Sequence, residues 1–516
     1  MMLLIYLSGF LCLLLVFVVR LISFIYRMWW RPIRIQSQMR SQGIKGPSYK
    51  FIHGNNKEIM DLRGQVMMSS TPMELSHHDI FSRIQPHIYS WIKLYGKNFL
   101  IWDGPQPQLV VTEPGLIKDI LNNKEKSYPK REAKFYEKKL LGEGLLTVHG
   151  DKWAKQRKLA SHTFHAESLK RKIPAMITTV EGMLERWRSH EGKEIEVVHE
   201  FMVLTSEMIS RTAFGSNYLE GKNTIDMIQK MGSICSQNEF KVRIPGLSEL
   251  IKTSDNIESD KLEKDIRDSI VSMIKKREEN VKTGEVENYG NDYLGGLMKA
   301  YHNTDETQKI SLQDLIDECK TFYFSGYEST TSLLCWATLL LATNLDWQDK
   351  ARKEVIDLFG QQSPSPDNVS KLKIMSMIIN ESLRLYAPVY SIVRETKKEV
   401  RIGKVKLPAN MQFYIPIHAL HHDPQLWGED AHLFKPERFA EGVAKATNNS
   451  IASFLAFSLG PRSCVGYNFA ATEVKVALSM ILQRYKITLS PAYTHAPVQL
   501  LTIRPAHGLQ IILHPI

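Results

Sequence analysis

FSLGPRSCVG, from Phe457 to Gly466, is the most specific pattern in this 516-residue chain. Within it, Cys464 follows Arg462 by two residues and precedes Gly466 by two. An apolar, helix-periodic run begins near Val465, so Cys464 is expected at a helix N-terminus, where free amides and the helix dipole favour a thiolate. This arrangement suits a cysteine that ligates a haem iron, because such a thiolate pushes electron density into the iron and promotes O–O cleavage.

The other residues of this stretch suit the same ligand. Gly460 and Gly466 allow tight turns and a close approach of the backbone to a flat macrocycle. Arg462 presents a planar guanidinium suited to a carboxylate such as a haem propionate, and Phe457 would cover the sulfur and limit water. A lone cysteine near a turn is more often a buried structural residue, but its combination with phenylalanine, two glycines and arginine favours the haem ligand.

Two further segments carry residue pairs at helical spacing. In NESLRL, Glu381 and Arg384 are three residues apart and share one face of a helix that ends before Pro388. On its own such a pair is usually exposed and contributes under about 1 kcal/mol. In GDKWAKQRK, Trp153 and Arg157 are four residues apart and share a face in the same way, although this spacing alone is more often ordinary packing.

The stretch TFYFSGYESTTSLLCW, residues 321–336, indicates the middle of a long buried helix. Ser311 followed by Asp314 is a suitable N-terminal cap for that helix. Polar residues interrupt the otherwise apolar surface at 325–326 and 328–330. A buried glutamate costs several kcal/mol unless it is paired or protonated, so Glu328 needs a reason. The alternative is a Ser/Thr-rich helix whose hydroxyls bond to its own carbonyls.

With these motifs the sequence resembles the cytochrome P450 superfamily, whose haem-binding pattern is the same Phe, Gly, Arg, Cys and Gly. The resemblance implies a mainly α fold with minor β, in which one catalytic domain over residues 51–516 holds haem b through Cys464 and uses dioxygen as co-substrate. It implies that Glu381 and Arg384 lock to Arg438, in the later PERF segment, as a structural support beneath the haem. It also implies a set of cofactor-binding residues: Trp153, Arg157, Arg394, Phe457, Gly460, Arg462 and Gly466.

The same resemblance relates the polar interruption of the long helix to proton delivery. In the family an acid and an alcohol at this place deliver protons to dioxygen. Glu328 matches the acid and Ser329 matches the alcohol. The usual alcohol is threonine, and here the serine is followed by Thr330, so either hydroxyl is a candidate for the role.

Segments outside these motifs are similar to the plant clan numbered seventy-two. They are LLGEGLLTVHGDKW, FHAESLK, IPG at 244–246 and IKKRE. The clan's substrates include steroid and terpenoid hormones, fatty acids, cytokinins and foreign compounds, which implies a lipophilic small molecule without identifying it. Leu459 and Tyr467 depart from the clan's usual residues, but neither position is a ligand.

Residues 1–27 are expected to form an uncleaved membrane anchor. No charge occurs before Arg20, and about nineteen apolar residues just span a bilayer. The arginines from Arg20 to Arg40 should keep the following chain on the cytosolic side of the membrane. That membrane is expected to be the endoplasmic reticulum membrane. A cleaved signal peptide is the alternative, but its positive n-region and short apolar region are missing. Residues 28–50, basic and then containing GIKGPSY, are expected to form a hinge that orients the catalytic domain.

The net charge bears on the class of binding partner, and the cysteine content bears on the cell compartment. The net charge of +11 is compatible with nucleic-acid binding, but the basic residues are spread along the chain and no zinc finger, recognition helix or aromatic RNA platform occurs, so no nucleic-acid partner is expected. Five cysteines without a pairing rhythm indicate a reducing compartment.

The electron supply follows from a missing motif. No Gly-rich dinucleotide or flavin fingerprint occurs, so electrons must come from a separate protein. In the family's membrane forms that protein is an NADPH-cytochrome P450 reductase. Four lysines are candidates for docking it, or form a solvated face: Lys152, Lys155, Lys158 and Lys475.

The remaining patterns are local. Short alternating stretches at 100–101 with 110–111, at 400–406 and at 509–513 predict small sheets. Clusters of polar, Gly and Pro residues predict flexible linkers at 284–307, 360–368 and 441–450.

The sequence therefore predicts a membrane-anchored haem-thiolate monooxygenase that hydroxylates a lipophilic small molecule. Two alternatives stay open. One is a hydroperoxide isomerase or dehydratase of the same superfamily, which needs no proton relay. The other is a membrane-tethered haem- or ligand-binding protein without turnover.

Overall fold

A computed structural model describes residues 2–68, 72–122, 127–215, 218–244, 248 and 252–516. The fold is mainly helical with small sheets, as the sequence predicts. Pro245 and Gly246, in the clan-like IPG segment, lie outside the described residues.

The helices of the first half run from the apolar N-terminal segment into the helical body. They are α1 (Met2–Ile25), α2 (Arg31–Ser41), α3 (Asn56–Met68), α4 (Phe81–Ile84), α5 (Pro86–Tyr95), α6 (Pro114–Asn122), α7 (Phe135–Leu141), α8 (Gly150–Thr163), α9 (Ala166–Trp187), α10 (Val197–Phe214) and α11 (Tyr218–Gln237). A π-helical turn, Tyr26–Trp30, joins α1 to α2.

The helices of the second half include the central one. They are α12 (Ser254–Lys282), α13 (Tyr293–Tyr301), α14 (Leu312–Thr343), α15 (Leu345–Phe359), α16 (Lys373–Leu385), α17 (Ile417–His421), α18 (Pro424–Trp427), α19 (Val443–Ala446) and α20 (Tyr467–Arg484). Single 3₁₀ turns occupy Arg188–His190, Val369–Lys371, Pro436–Phe439, Ile451–Ser453 and Gly460–Arg462.

The strands form small sheets at the edges of the helical body. They are β1 (Asn98–Asp103), β2 (Gln106–Val111), β3 (Glu194–Glu196), β4 (Ser391–Glu395), β5 (Val400–Ile402), β6 (Val405–Leu407), β7 (Gln412–Pro416), β8 (Tyr485–Leu489), β9 (Pro497–Gln499), β10 (Ile503–Pro505) and β11 (Gln510–Pro515). The largest sheet has the order β1-β2-β7-β4, with only β2 and β7 parallel. The others are β3-β11-β8, β9-β10 and β5-β6, all antiparallel. The three predicted strand regions are thereby confirmed.

The central element is α14, which spans 32 residues and packs against α10, α16 and α20. Its predicted cap is present, because the Ser311 hydroxyl accepts from the Asp314 amide (3.0 Å) while the Asp314 carboxylate accepts from the Ser311 amide (3.0 Å). This reciprocal pair satisfies two of the free amides at the helix start. Nearly every side chain of α14 is buried, as expected for a helix that is apolar on most sides.

The N-terminal segment combines an exposed helix with a docked one. Among the described residues, one continuous helical stretch, Ile5–Ser41, is long and apolar enough to cross a membrane, and the apolar part of it is not buried in the protein. By contrast, α2 buries Ile35 and Met39, one helical turn apart, against the core around the largest sheet. The Arg31 guanidinium also donates to the Asn410 carbonyl (3.1 Å).

The Gly/Pro part of the expected hinge is docked as well. A Cβ on Gly46 would lie 1.9 Å from the Leu100 carbonyl oxygen, so only glycine allows this approach to β1. The Tyr49 hydroxyl donates to the Met28 carbonyl, and its ring packs on Trp102 with centroids 5.0 Å apart. Residues 28–50, expected to form a hinge, therefore pack against the largest sheet.

One predicted linker is wrong in part. Residues 284–307 contain α13, whose Tyr293, Leu294, Leu297 and Met298 are fully buried. The sequence YLGGLMKAY places these residues at spacings of one, three and four, which gives the short helix an apolar face despite its two glycines. The region predicted as a linker at 441–450 likewise contains the short helix α19.

Candidate active site

A cavity of about 920 Å³ brings together residues that the sequence predicted separately. Its walls come from α14, from the loop that precedes α20 and from the segment that enters β4. The predicted site residues on its surface are Trp153, Arg157, Glu328, Ser329, Thr330, Arg394, Phe457, Arg462, Cys464 and Gly466. The rest of the lining is largely apolar, with aromatic side chains such as Phe135, Phe164 and Phe322.

The Cys464 loop is held by its own backbone. The Cys464 amide donates to the Phe457 carbonyl (2.9 Å), and the helix α20 begins three residues later with Gly466 at its N-cap. Burial raises the pKa of the Cys464 thiol, while the Gly466 amide, Arg157 and Lys130 oppose that rise by favouring the thiolate. The sulfur therefore faces the cavity beside donors and cations that suit an anionic ligand.

Gly460 serves this loop from outside the cavity wall. Its φ is +75°, and a Cβ there would lie 2.3 Å from the Leu121 carbonyl oxygen at the end of α6. Glycine is thus required by both its conformation and its packing. Because the close contact at Gly460 is with α6, this glycine allows the cysteine loop to pack against that helix.

Four cations gather near the thiol. Burial lowers the pKa of Lys130 to about 7, with Arg394 and Arg462 adding to the effect, and lowers the pKa of Arg394 to about 10. Burial, followed by Arg394 and Arg157, lowers the pKa of Arg462 to about 10. Among the described residues no carboxylate forms an ion pair with Lys130, Arg157, Arg394 or Arg462, so the repulsion within this group makes it a site for an anion.

The hydrogen bonds of these cations go to neutral acceptors. Arg157 donates to the Ser463 carbonyl (2.6 Å), Arg462 to the Val148 carbonyl (2.8 Å) and Lys130 to the Leu146 carbonyl (2.8 Å). The second terminal nitrogen of Arg462 is buried and has no partner among the described residues. This donor set fits the two carboxylates of haem.

Trp153 contacts one of these cations. Lys130 is a member of the group that the sequence did not distinguish. The Arg462 guanidinium lies over the Trp153 ring, 4.2 Å from its centroid, as in a cation–π contact. The predicted pair Trp153 and Arg157 therefore reaches the cysteine loop from α8. Lys130 lies in KSYPKRE, where no spacing distinguishes it from its charged neighbours, so only the fold could identify it.

The polar run of α14 bonds to its own helix, as the alternative interpretation of the sequence expected. The hydroxyls of Ser325, Ser329 and Thr330 donate to carbonyls four residues earlier, at 2.7, 3.2 and 3.2 Å. All three line the cavity as well. Gly326 has a packing reason, because a Cβ there would lie 2.5 Å from Ile209 Cγ1 on α10.

Glu328 is buried and fully paired. The Thr502 hydroxyl donates to one carboxylate oxygen (2.7 Å), and Arg504 forms an ion pair with the other. The segment from Thr502 into β10 therefore supplies the partners of Glu328. The sequence indicated that this acid needs a partner but did not identify one. In this arrangement the carboxylate is an acceptor held by Arg504, and it remains on the cavity surface.

A second buried acid was missed. Glu473 on α20 is fully buried, and neither carboxylate oxygen has a hydrogen-bond partner among the described residues. Burial raises the pKa of its carboxyl well above the usual range, and the nearby Thr330 side chain opposes this shift in part. The sequence carried a signal, since Glu473 lies among apolar residues one turn before Ala477.

Glu381, Arg384 and Arg438 meet beneath the cavity. Glu381 and Arg384 are fully buried and form a two-pronged ion pair, with N–O distances of 2.7 and 2.6 Å. Arg384 also donates to the carbonyls of His421 (2.9 Å) and Ala431 (2.7 Å). Arg438 approaches Glu381 to 3.6 Å. The arrangement ties α16 to the segment around α18 and does not line the cavity.

The four lysines considered for docking are not equivalent. Lys152 is bridged to Glu143 (2.8 Å) and Asp314 (2.6 Å), and Lys155 donates to the Lys309 carbonyl (2.9 Å). Lys158 is exposed, whereas burial lowers the pKa of Lys475. The positive charge available to a partner at this face is therefore smaller than the sequence indicates.

Comparison with known proteins agrees with this site. The family model for cytochrome P450 matches residues 78–510. The chain is 54% identical to Cytochrome P450 CYP749A22 of Panax ginseng over 512 residues, 99% of this chain and 97% of that protein. It is 40% identical to Cytochrome P450 734A1 of Arabidopsis thaliana, covering 94% of this chain and 92% of the relative.

A relative with a printed reaction is 11-oxo-beta-amyrin 30-oxidase of Glycyrrhiza uralensis, which is 39% identical over 94% of each chain. Matches of this extent cover the cysteine loop, the cation group and the central helix together. The chain therefore belongs to the cytochrome P450 family of monooxygenases, oxidoreductases that bind haem through a cysteine thiolate and use dioxygen.

Proposed function

We propose that this protein is a membrane-bound monooxygenase that hydroxylates a lipophilic small molecule with electrons from an NADPH-cytochrome P450 reductase. The observation that carries the proposal is one cavity shared by the Cys464 thiol, a group of cations and the α14 hydroxyls, with largely apolar walls between them. Such a cavity, mostly apolar with a few convergent polar groups, is typical of small-molecule sites.

Haem b would be held by contacts that the described residues provide. Cys464 would ligate the iron, and the Gly466 amide and Arg157 favour its thiolate. Lys130, Arg157, Arg394 and Arg462 would bind the two propionates. When bound, the haem supplies the activation of dioxygen, and the protein's own residues orient the substrate, exclude water and move protons.

Ser329 is the hydroxyl that we assign to proton delivery. Its side chain is partly exposed to the cavity, whereas Thr330 is buried, 2% exposed, and lies next to Glu473. Adjacent helical residues point about 100° apart, so the two hydroxyls cannot serve equally. The Glu328 carboxylate accepts from Thr502 and pairs with Arg504, so a part in proton delivery requires it to leave one of these partners.

The substrate class is supported by the lining and by the relatives. Leu145, Ile209, Phe322 and Leu333 contribute to an apolar surface within a volume of about 920 Å³. One relative is named as an oxidase of 11-oxo-beta-amyrin, a triterpenoid. We therefore infer a bulky lipophile of the terpenoid kind, with hydroxylation at the end that faces Cys464.

The location and the electron donor are proposed from the N-terminus and the lysines. Residues 1–27 would cross the endoplasmic reticulum membrane, and the arginines after Val19 would keep residues 28–516 in the cytosol. Unpaired cysteines at all five positions suit that compartment. Exposed Lys158, with a lesser part played by Lys152 and Lys155, is the remaining candidate for docking the acidic reductase.

The test measures oxygen consumption by the full-length protein in vesicles with purified reductase. A monooxygenase requires NADPH and reductase together, and it incorporates oxygen into a bound terpenoid. A hydroperoxide isomerase or dehydratase would convert an added lipid hydroperoxide without NADPH. A binding protein would shift its absorption spectrum with ligand but would turn over neither substrate, so the three functions give three different results.

A further inference from the structure

A polar pair lies in the cavity apart from the cations near Cys464. The Tyr390 hydroxyl donates to one oxygen of the Glu239 carboxylate at 2.5 Å, and both residues line the cavity. Glu239 follows the end of α11, and Tyr390 immediately precedes β4. An acid on a cavity wall, partly removed from water, is costly unless it has a partner.

The chain path separates this pair from the cation group. Arg394, in β4, belongs to the cations near the thiol, and a strand rises about 3.3 Å per residue, so Tyr390 lies roughly 13 Å from it along the chain. The segment 130–134 shows the same separation between the cation group and the pair. Lys130 is among the cations near the thiol, whereas the Lys134 ammonium donates to the Glu239 carbonyl (2.9 Å). The pair therefore faces the end of a ligand that is remote from the thiolate.

The second oxygen of Glu239 has room for a donor. The nearest cation is Arg63, at 3.7 Å, beyond hydrogen-bonding distance. Arg63 is engaged elsewhere, since it donates to the Gln499 carbonyl (2.9 Å). In one orientation of its side-chain amide, Gln499 donates from the nitrogen to the Ile84 carbonyl (3.1 Å) and accepts at the oxygen from Arg63 (3.0 Å). In the opposite amide orientation its nitrogen is 3.4 Å from Glu239, a long contact.

The cations at this end of the cavity already have partners. Arg131 forms a two-pronged ion pair with Glu137 (2.6 and 2.8 Å), and Lys134 pairs with Asp103 (2.7 Å). The Arg243 guanidinium lies over the Phe135 ring, 3.8 Å from its centroid, and donates to the Asn256 amide oxygen (3.1 Å).

We propose that Glu239, positioned by Tyr390, accepts a hydrogen bond from a hydroxyl on the substrate, and that the substrate is a lipophilic alcohol whose hydroxyl lies at the end opposite to the oxidised carbon. This rests on the proposed monooxygenase function and specifies its substrate class. Burial already raises the pKa of the Glu239 carboxyl. A carboxylate-bearing substrate is disfavoured, because a second negative charge beside it would raise that pKa further. A ketone or an ether at the same place brings an acceptor to an acceptor and leaves the second Glu239 oxygen without a donor.

The experiment compares spectral binding constants of the full-length, haem-loaded protein in detergent. The probes are 11-oxo-β-amyrin, its 3-ketone and its 3-methyl ether, followed as displacement of the water bound to haem. A hydrogen bond to a charged group makes the alcohol about ten- to a hundredfold tighter than the ketone in the wild type. Glu239→Gln presents an amide donor as well as an acceptor, so the ratio of alcohol to ketone affinity should fall to near one.

The control is Glu137→Gln, a second cavity carboxylate whose oxygens both accept from Arg131. It should leave the ratio unchanged. An unchanged ratio in Glu239→Gln would overturn the anchor, as would tighter binding of dodecanoate than of 1-dodecanol. Failure of the triterpenoid alcohol to bind, while imidazole still binds the haem, would overturn it too. Failure of the monooxygenase function is a separate result, a protein that binds these probes but consumes no oxygen with NADPH and reductase.

Discussion

The Thr502 hydroxyl donates to the Glu328 carboxylate at 2.7 Å, joining the middle of α14 to a residue 174 positions later in the chain. With Arg504 on the other oxygen, the buried acid carries a countercharge of its own. This pairing separates two roles that the sequence placed together in Glu328 and Ser329. The acid is paired on both oxygens, and we propose the Ser329 hydroxyl as the group that exchanges its carbonyl partner for a ligand in the cavity.

Ser329→Ala should therefore uncouple oxygen consumption from product formation. Proton transfer by a positioned group contributes about 10²- to 10⁴-fold, so we expect product formation to fall by roughly 10²-fold while NADPH is still oxidised and peroxide accumulates. The measurement is the ratio of product to NADPH consumed. Ser329→Thr should stay coupled, and Thr330→Ala should be nearly silent. If Thr330→Ala uncouples and Ser329→Ala does not, the assignment passes to Thr330.

Cys464→Ala should abolish the red-shifted Soret band of the ferrous carbonyl complex, because that band reports a thiolate opposite the bound gas. The difference spectrum after reduction and addition of carbon monoxide is the measurement. Alanine at each of the other cysteines, Cys12, Cys235, Cys319 and Cys335, should leave the band in place. A normal band in Cys464→Ala would disprove the assigned ligand.

Arg384→Ala should destabilise the fold strongly. It removes both hydrogen-bonding guanidinium nitrogens from the fully buried Glu381 and leaves Arg438, 3.6 Å away, as the remaining cation; breaking such a buried pair costs roughly 3–5 kcal/mol. The checks are the thermal unfolding midpoint and the yield of haem-loaded protein. The matched control is Arg188→Ala, which breaks an exposed pair with Glu185 at the same helical spacing and should leave the midpoint nearly unchanged. Equal midpoints in the two variants would contradict a supporting role for Glu381 and Arg384.

Glu318→Gln should flatten the pH dependence of stability between pH 4.5 and 7. Burial raises the pKa of Glu318 from 4.5 to about 7, although the Tyr293 hydroxyl donates to it at 2.5 Å. In this range the folded protein holds a proton that the unfolded chain releases, so the wild type loses stability as pH rises, by roughly 3 kcal/mol in all.

The quantity to measure for Glu318 is the unfolding midpoint of Glu318→Gln minus that of the wild type. It should increase from pH 4.5 to 7 and level off above pH 7. A difference that does not change with pH would show that Glu318 titrates at its ordinary value in the folded protein.

Removal of residues 1–25 should release the protein from membranes without loss of stability, because none of the described side chains of α1 is buried in the protein. Removal of residues 1–40 should cost more, since it deletes Ile35 and Met39, and each buried side chain of this size contributes about 1.5–3 kcal/mol. Partition into the membrane fraction and thermal midpoints in detergent test the two effects. Equal midpoints for the two truncations would show that α2 contributes nothing to the fold.

Short-range patterns were readable from the sequence because their partners are close in the chain. The Cys464 loop depends on residues within its own ten-residue stretch, and the Ser311 and Asp314 cap and the Glu381 and Arg384 pair each depend on residues three apart along a helix. Helical spacing decides those contacts before any tertiary packing forms. The expected linker at 284–307 failed for a related reason, because its Gly and polar content hid the apolar face of α13.

The tertiary structure decided the partners that come from distant segments. Arg504 neutralises Glu328, Lys130 joins the cations near the thiol, and Tyr390 holds Glu239, each across more than a hundred residues of chain. The partner of a charged side chain cannot be read from the sequence around it. The pairing depends on which buried surfaces meet and on how far water is excluded there. The sequence by itself therefore determined the family, the thiolate position and the central helix, while packing determined which charges are paired and which of the predicted residues share one cavity.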